Sequence, residues 1–253
     1  MEQEILITDV TRMGGNRVCI AGVDRQANTV RPDLGPGGVR EQHLYNEQGV
    51  VIRPRAVVSM DLAPVNQPTP PHTEDCLWIA PEETRLLRLA DDPIWRLALS
   101  RTAHDTVEAM FGAPLHEQKR VAPGTGTRSL GTIKPAAIDS VFLKDDLYAE
   151  GKRGYRLAFR DSSGQTFWNL SITDLSFRYY VDHQHTHKGL SLPKISAQLQ
   201  WWLQKAETWL RLGLTRPWQP DDEDTAWCYL QVTGIYTFPD YLRGACFADF
   251  APA

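Results

Sequence analysis

Four stretches of the sequence concentrate side chains able to do chemistry. The first is HTED, residues 72–75, which sets an imidazole beside two carboxylates. General acid–base work needs such groups to converge within hydrogen-bond reach of one proton. Neighbours on an extended segment point to opposite faces, so His72, Glu74 and Asp75 converge only through a sharp turn. The alternative is structural, with Thr73 or Asp75 capping the helices that the next residues predict.

The second stretch, HQHTH, spaces His183, His185 and His187 two apart. On a strand all three would project from one face toward a metal ion. Closed zinc sites recruit ligands from separate elements, and the adjoining Lys188 and Gly189 suggest a solvated loop instead. The histidines are thus weak metal candidates, and no metal is assigned. The third stretch, PGTGTRSLG at 123–131, lacks the lysine–serine ending of a nucleoside-triphosphate loop. Its amides and Arg128 can still touch a phosphate backbone. There is no GxSxG elbow and no local cysteine–histidine signature, so no catalytic residue and no cofactor is expected.

The fourth constellation is the strongest. Tyr155, Phe167, Trp168, Phe177, Tyr179 and Tyr180 share a region with Arg153, Arg156, Arg160 and Arg178. Aromatic faces stack bases while arginines follow phosphates. Alternation along a strand buries about half of such rings, so Tyr179 and Tyr180 cannot both face inward, nor can Phe167 and Trp168.

The elements that position these residues follow from the apolar period. Residues 1–65 predict short strands: one at Ile5–Ile7, one over Val18–Val23, a turn at Asp24–Asn28, a return at Thr29–Arg31 and another strand at Ala56–Met60. Such spacing points to a small barrel. From 74 to 112 Ile94, Leu97, Ala98, Val107, Met110 and Phe111 recur at helical spacing, with Pro81 and Pro93 suited to first turns. Strands resume after Val121, including a turn at Asp161–Gly164 and a return predicted from Phe167 through Tyr180. Pro193 then opens a helix, and strands over Trp209–Leu214 and Trp227–Tyr236 follow. The expected fold is mainly β with helical insertions: a first barrel over 1–70, a helical bridge over 71–122, and a second barrel with an inserted helix over 123–253. DRQANTV (24–30) and DSSGQTF (161–167) echo each other between paired strands, as two similar barrels would. ITDV (7–10) and ITDL (172–175) also match, but one precedes its hairpin and the other follows it.

Composition bounds the rest. With 42% hydrophobic and 23% charged residues the chain is globular rather than disordered, and no apolar run approaches a membrane span. The acidic MEQEILITDV start shows no secretion signal, and four cysteines without CxxC spacing suit buried thiols, so a cytoplasmic protein is expected. The net charge of −4 argues against indiscriminate coating of DNA. A local basic groove remains compatible, because ten Lys/Arg face four acids between Lys152 and Arg216, before the acidic cluster at 221–224.

The chain resembles the bacterial dual-OB-containing domain protein family over nearly its whole length. The resemblance rests on ILITDVTRM with RVCIAGVD, then PPHTED, SLGTIKP, WNLSITDLSFR, LRLGLTRPW and CYLQVTGIYTFPDY in that order. It implies two OB-like barrels and nucleic-acid or nucleotide binding, as an accessory or sensing module in bacterial defence or mobile-element systems. No catalytic residue comes with it. The leading expectation is therefore a non-catalytic binder of single-stranded DNA or RNA. Its contacts are expected from Arg12, Arg17, Arg31, Arg128, Lys134, Tyr155, Trp168, Arg178 and Tyr180. A protein-interaction adaptor is the alternative, and a metal-assisted hydrolase using His183, His185 and His187 the third.

Overall fold

The computed structural model describes residues 2–145, 153–221 and 223–252; Lys152 and Asp222, counted above for charge, lie outside them. Strands β1 (Glu2–Arg12), β2 (Val18–Val23) and β3 (Thr29–Asp33) form an antiparallel meander. After a minimal hairpin, β4 (Tyr45–Asn46) with β5 (Gly49–Val50), strand β6 (Ala56–Pro64) returns to pair antiparallel with β1. Strand β7 (Asp75–Trp78) fits between, antiparallel to β6 and parallel to β3, and so closes a five-stranded barrel. Period-two alternation sends Ile5, Ile7, Ile20, Val58, Met60 and Leu62 inward to one core. Strand β8 (Arg85–Leu89) adds to β6 outside the closed circuit.

The segment expected to be a helical bridge, 71–122, is mixed. It supplies β7 and β8 before α1 (Asp92–Arg101), β9 (Ala103–His104), α2 (Val107–Phe111) and β10 (Arg120–Val121). Cys76 and Trp78 alternate inward and complete the barrel core, which is why its fifth strand falls beyond residue 70. Neither Thr73 nor Asp75 caps a helix. Asp91 does so for α1, its carboxylate accepting the Ile94 N–H at 3.0 Å.

The second half runs β11 (Leu130–Ile133), β12 (Ala137–Asp145), β13 (Arg153–Arg160), β14 (Thr166–Ile172), α3 (Leu175–Thr186), α4 (Leu192–Lys205), β15 (Glu207–Leu214) and β16 (Cys228–Phe238). The order β12-β13-β14-β16-β15 repeats the barrel's β1-β2-β3-β7-β6, again with the third and fifth strands parallel. Closure differs. Among the described residues β15 continues to β11 and β9 instead of returning to β12. Helix α4 packs along β12, placing Ile195, Leu199 and Leu203 in one core with Ile138 and Val141. An open sheet therefore stands where a second barrel was expected.

The echoed heptapeptides occupy equivalent hairpins. In each the aspartate amide donates to a carbonyl four residues on, Asp24 to Asn28 at 3.0 Å and Asp161 to Gln165 at 3.1 Å. Each carboxylate accepts the N–H two residues later, and the fourth turn residue is left-handed, Ala27 at φ 67° and Gly164 at φ 83°. The ITDV and ITDL stretches, by contrast, do not occupy equivalent places: the residues just after ITDV bridge to ITDL, Thr11 to Asp174 and Arg12 N–H to Thr173 O at 2.8 Å.

The strand expected from Phe167 to Tyr180 stops at Ile172. Asp174 Oδ1 accepts the N–H groups of Ser176 and Phe177 at 2.9 and 3.2 Å, which starts α3. Arg178, Tyr179, Tyr180, His183 and His185 are consequently helical, and His187 caps that helix. Leu175 and Tyr179 of α3, with Phe247, enter the barrel core.

Two polar patches, the first of them buried, join the halves. Asp9 accepts from Arg211 Nε at 2.9 Å and from the hydroxyls of Thr8 and Thr233 at 2.6 Å each. Arg211 also donates to Thr132 Oγ1 at 3.0 Å. In the second patch Arg31 pairs with Asp75 at 2.6 Å, and Arg216 reaches the same carboxylate at 2.6 Å from the other half.

Candidate nucleic-acid interface

A groove of about 560 Å³ opens on the outer face of β13, β14 and β16. Its floor is a cross-strand row in which Arg156 opposes Ser171 and Ser171 opposes Gln231. The register slips between Leu157 and Phe159, so that Trp168 and Asn169 of β14 together face Ala158 alone. This β-bulge breaks alternation and turns both Trp168 and Asn169 outward, leaving the Trp168 ring 63% exposed beside the fully buried Phe167. Asn169 holds a left-handed φ of 56°, a conformation asparagine tolerates better than most residues. Trp218, 59% exposed, also lines the groove, its backbone exchanging two 2.9 Å hydrogen bonds with Trp227. Its ring tilts against Tyr229, centroids 5.6 Å apart.

The charge in this groove is sparse and specific. Lys119 pairs with Glu117 at 3.3 Å, and Arg120 with Glu117 at 3.0 Å and Glu223 at 2.6 Å. Arg156 donates to Ser171 Oγ and has no carboxylate partner among the described residues. Burial, and then the nearby Arg178 guanidinium, lower its pKa. A guanidinium half removed from water next to a second cation is a favourable seat for one phosphate.

Of the nine residues expected to bind, only Trp168 lines this groove. Arg178 adjoins it, lying over the Tyr155 ring at 4.5 Å, but Tyr155 itself is in the core with its hydroxyl donated to Asp182 at 2.6 Å. Burial raises the Tyr155 pKa, and Asp182 adds to the rise. Arg31 is sealed in the joint. Arg12 is bound to Glu41 and to the Tyr179 hydroxyl, and Arg17 lies exposed with its Nε on Gly14 O. Arg128 contacts His104 at 3.3 Å, and Lys134 pairs with Glu207 beside the Trp209 ring. Tyr180 lines a separate groove of about 880 Å³ with Trp201, Trp202 and Phe250. Trp218, Tyr229 and Asn169 were not foreseen. Their signal is the RPW sequence and the alternation of β16, whereas the bulge has no mark in the residue types.

HTED and the glycine-rich loop explain each other. Glu74 Oε1 accepts the Ser129 and Leu130 N–H groups at 2.6 and 2.9 Å, and Oε2 accepts the Ser129 hydroxyl at 3.0 Å. A carboxylate of the protein itself thus occupies the loop's anion-binding amides. Thr73 donates to Thr127 O at 2.7 Å. Burial tends to raise Asp75, but Arg216 and Arg31 outweigh it and hold the carboxyl below its usual range. His72 is buried, and burial with Arg31 and Arg216 nearby lowers its pKa to about 4. The four side chains are the seam between the halves and do not converge on solvent.

The histidines of HQHTH separate as a helix dictates. His185 Nδ1 meets Leu190 O at 2.8 Å, while His183 and His187 stack at 4.9 Å. Among the described residues no group of three or more His, Cys, Asp or Glu side chains is placed to hold a metal. No helix of the described residues is long and apolar enough to cross a membrane.

The two repeated strand orders offer equivalent faces, with unequal fates. The Arg31–Asp75 row on β3 and β7 corresponds to the Ser171–Gln231 row on β14 and β16. In the barrel that row is covered by Ser129 and Arg216 of the other half, with Arg31 donating to Ser129 Oγ at 3.0 Å. In the open sheet it is the groove floor. No protein-family model, curated protein or solved structure matches the chain.

Proposed function

We propose that the chain binds single-stranded nucleic acid in the Trp168–Trp218 groove, without catalysis, in a bacterial accessory or sensing role. The observation that carries this reading is the bulge at Trp168–Asn169, which turns an indole out into a groove that Trp218 also lines, beside an arginine without a carboxylate partner among the described residues. Stacking on aromatic faces holds bases whatever their sequence, and one desolvated guanidinium holds a phosphate between them. The strand order of the barrel, with its parallel third and fifth strands, supports an OB-fold reading, and OB-folds bind oligonucleotides on the face of their second and third strands. The groove lies on the corresponding strands of the open sheet. The resemblance to dual-OB-containing proteins points the same way.

The test is fluorescence anisotropy with labelled single-stranded DNA and RNA at about 50 mM salt, where phosphate contacts are strongest. Trp168→Ala and Trp218→Ala remove exposed rings, so folding should be kept while each weakens binding about 5- to 100-fold. Absence of binding by the unaltered protein overturns the proposal. A protein adaptor is the second reading, favoured by the larger apolar groove where Trp201 is 59% exposed. Nuclease-resistant co-purification of a stoichiometric protein partner, lost in Trp201→Ser, would favour it.

A further inference from the structure

Three side-chain amides, those of Gln118, Asn169 and Gln231, line the groove without a hydrogen-bond partner among the described residues. Gln118 and Asn169 both sit at left-handed backbone positions, φ 59° and 56°, which fixes where their amides start. Two of the three are thus presented by unusual backbone, and unusual backbone concentrates at binding sites. We infer that the groove selects adenine among the bases of a single strand, and that charge contributes little to its affinity. This inference rests on the proposed single-strand binding at the same groove.

An amide offers a carbonyl acceptor beside an N–H donor. Adenine answers that pair with N6–H and N7 on one edge and with N6–H and N1 on the other, so it fits from either side. Guanine presents two acceptors, O6 and N7, on its Hoogsteen edge, which suit a guanidinium but set an amide carbonyl against an acceptor, so among these two edges it matches an amide only through O6 and N1–H. Pyrimidines offer one matching edge and a smaller face to Trp168 and Trp218. The cations support the same conclusion. Lys119 and Arg120 are held by Glu117 and Glu223, leaving Arg156 as the lining cation without a carboxylate partner among the described residues. One neutralised phosphate predicts a salt slope near −0.7 for a single strand, far shallower than that of a charge-driven binder.

The experiment compares a twelve-residue thymidine strand with versions carrying three central adenines, cytosines or guanines, by anisotropy of the full chain across a salt series. The adenine strand should bind about tenfold tighter than the all-thymidine strand, with a slope of log K against log salt between about −0.5 and −1.5. Asn169→Gly keeps the left-handed backbone and Gln231→Leu keeps volume. Together they should bring the four strands within about twofold of one another, whereas Trp168→Ala weakens all four alike. Equal binding of all four strands, a guanine preference, or a slope steeper than about −3 overturns the inference and leaves single-strand binding standing. If none of the strands binds, the proposed function itself fails.

Discussion

Replacing Arg211 by methionine puts the joint between the two halves to a quantitative test. Arg211 is fully buried and donates from Nε to Asp9 at 2.9 Å and from its terminal amino group to Thr132 at 3.0 Å. Methionine fills similar space but leaves the Asp9 carboxylate buried with only the Thr8 and Thr233 hydroxyls as donors. Breaking a buried pair from one side strands a charge and costs about 3–5 kcal/mol. For a chain of 253 residues, at about 2–4 °C per kcal/mol, this lowers the melting temperature by roughly 6–20 °C. Urea titration followed by tryptophan fluorescence measures the loss directly. Adding Asp9→Asn removes the stranded charge and should restore part of the stability, because the cost lies in the uncompensated carboxylate rather than in the missing contact. A loss below about 1 kcal/mol for Arg211→Met, or a double variant as unstable as the sum of the two single changes, would refute this account.

Acid should weaken the seam through His72. Its pKa of about 4 in the folded chain lies below the ordinary value near 6.5, so the unfolded chain takes up the proton first. Stability from this group is complete above about pH 6.5 and is lost as pH falls toward about 4, by on the order of 3 kcal/mol. His72→Gln should flatten that limb of the urea midpoint against pH, and an unchanged slope would count against it. Gly22→Ala would place a methyl 2.5 Å from Ile5 Cγ2 and 2.7 Å from the Leu6 carbonyl oxygen, costing about 1–3 kcal/mol. Gly14→Ala meets nothing within 4 Å and should cost under about 0.5 kcal/mol; equal midpoints for the two would contradict the packing argument.

Much of the architecture is legible in the residues, and the failures have physical causes. The Asp24 and Asp161 turns were visible because aspartate two residues before a free N–H is a local device that needs no tertiary context. Helix α3 was not, since Phe177, Tyr179, Tyr180 and Val181 favour strands; Asp174 and burial against two cores override that preference. Trp168 could be picked out as exposed by its neighbour Phe167. The types of its companions stand out in RPW and along β16, but their place beside it does not, because Trp218 and Tyr229 reach it only through the parallel pairing of β14 with β16, a non-local contact. Arg31 and Tyr155 illustrate the converse, functional residue types taken up by the interior.

The covered row on β3 and β7 also has a consequence for synthesis. The barrel strands and β8 are all translated by residue 89, but Arg31 meets Ser129 and Asp75 meets Arg216 only after those residues have left the ribosome. The open sheet that carries them is not complete before β16 ends at Phe238, about 150 residues later. At roughly 5–20 residues per second the nascent barrel waits on the order of 7–30 s with that row uncovered. During that interval it offers solvent the very face that the finished protein offers only from its other half.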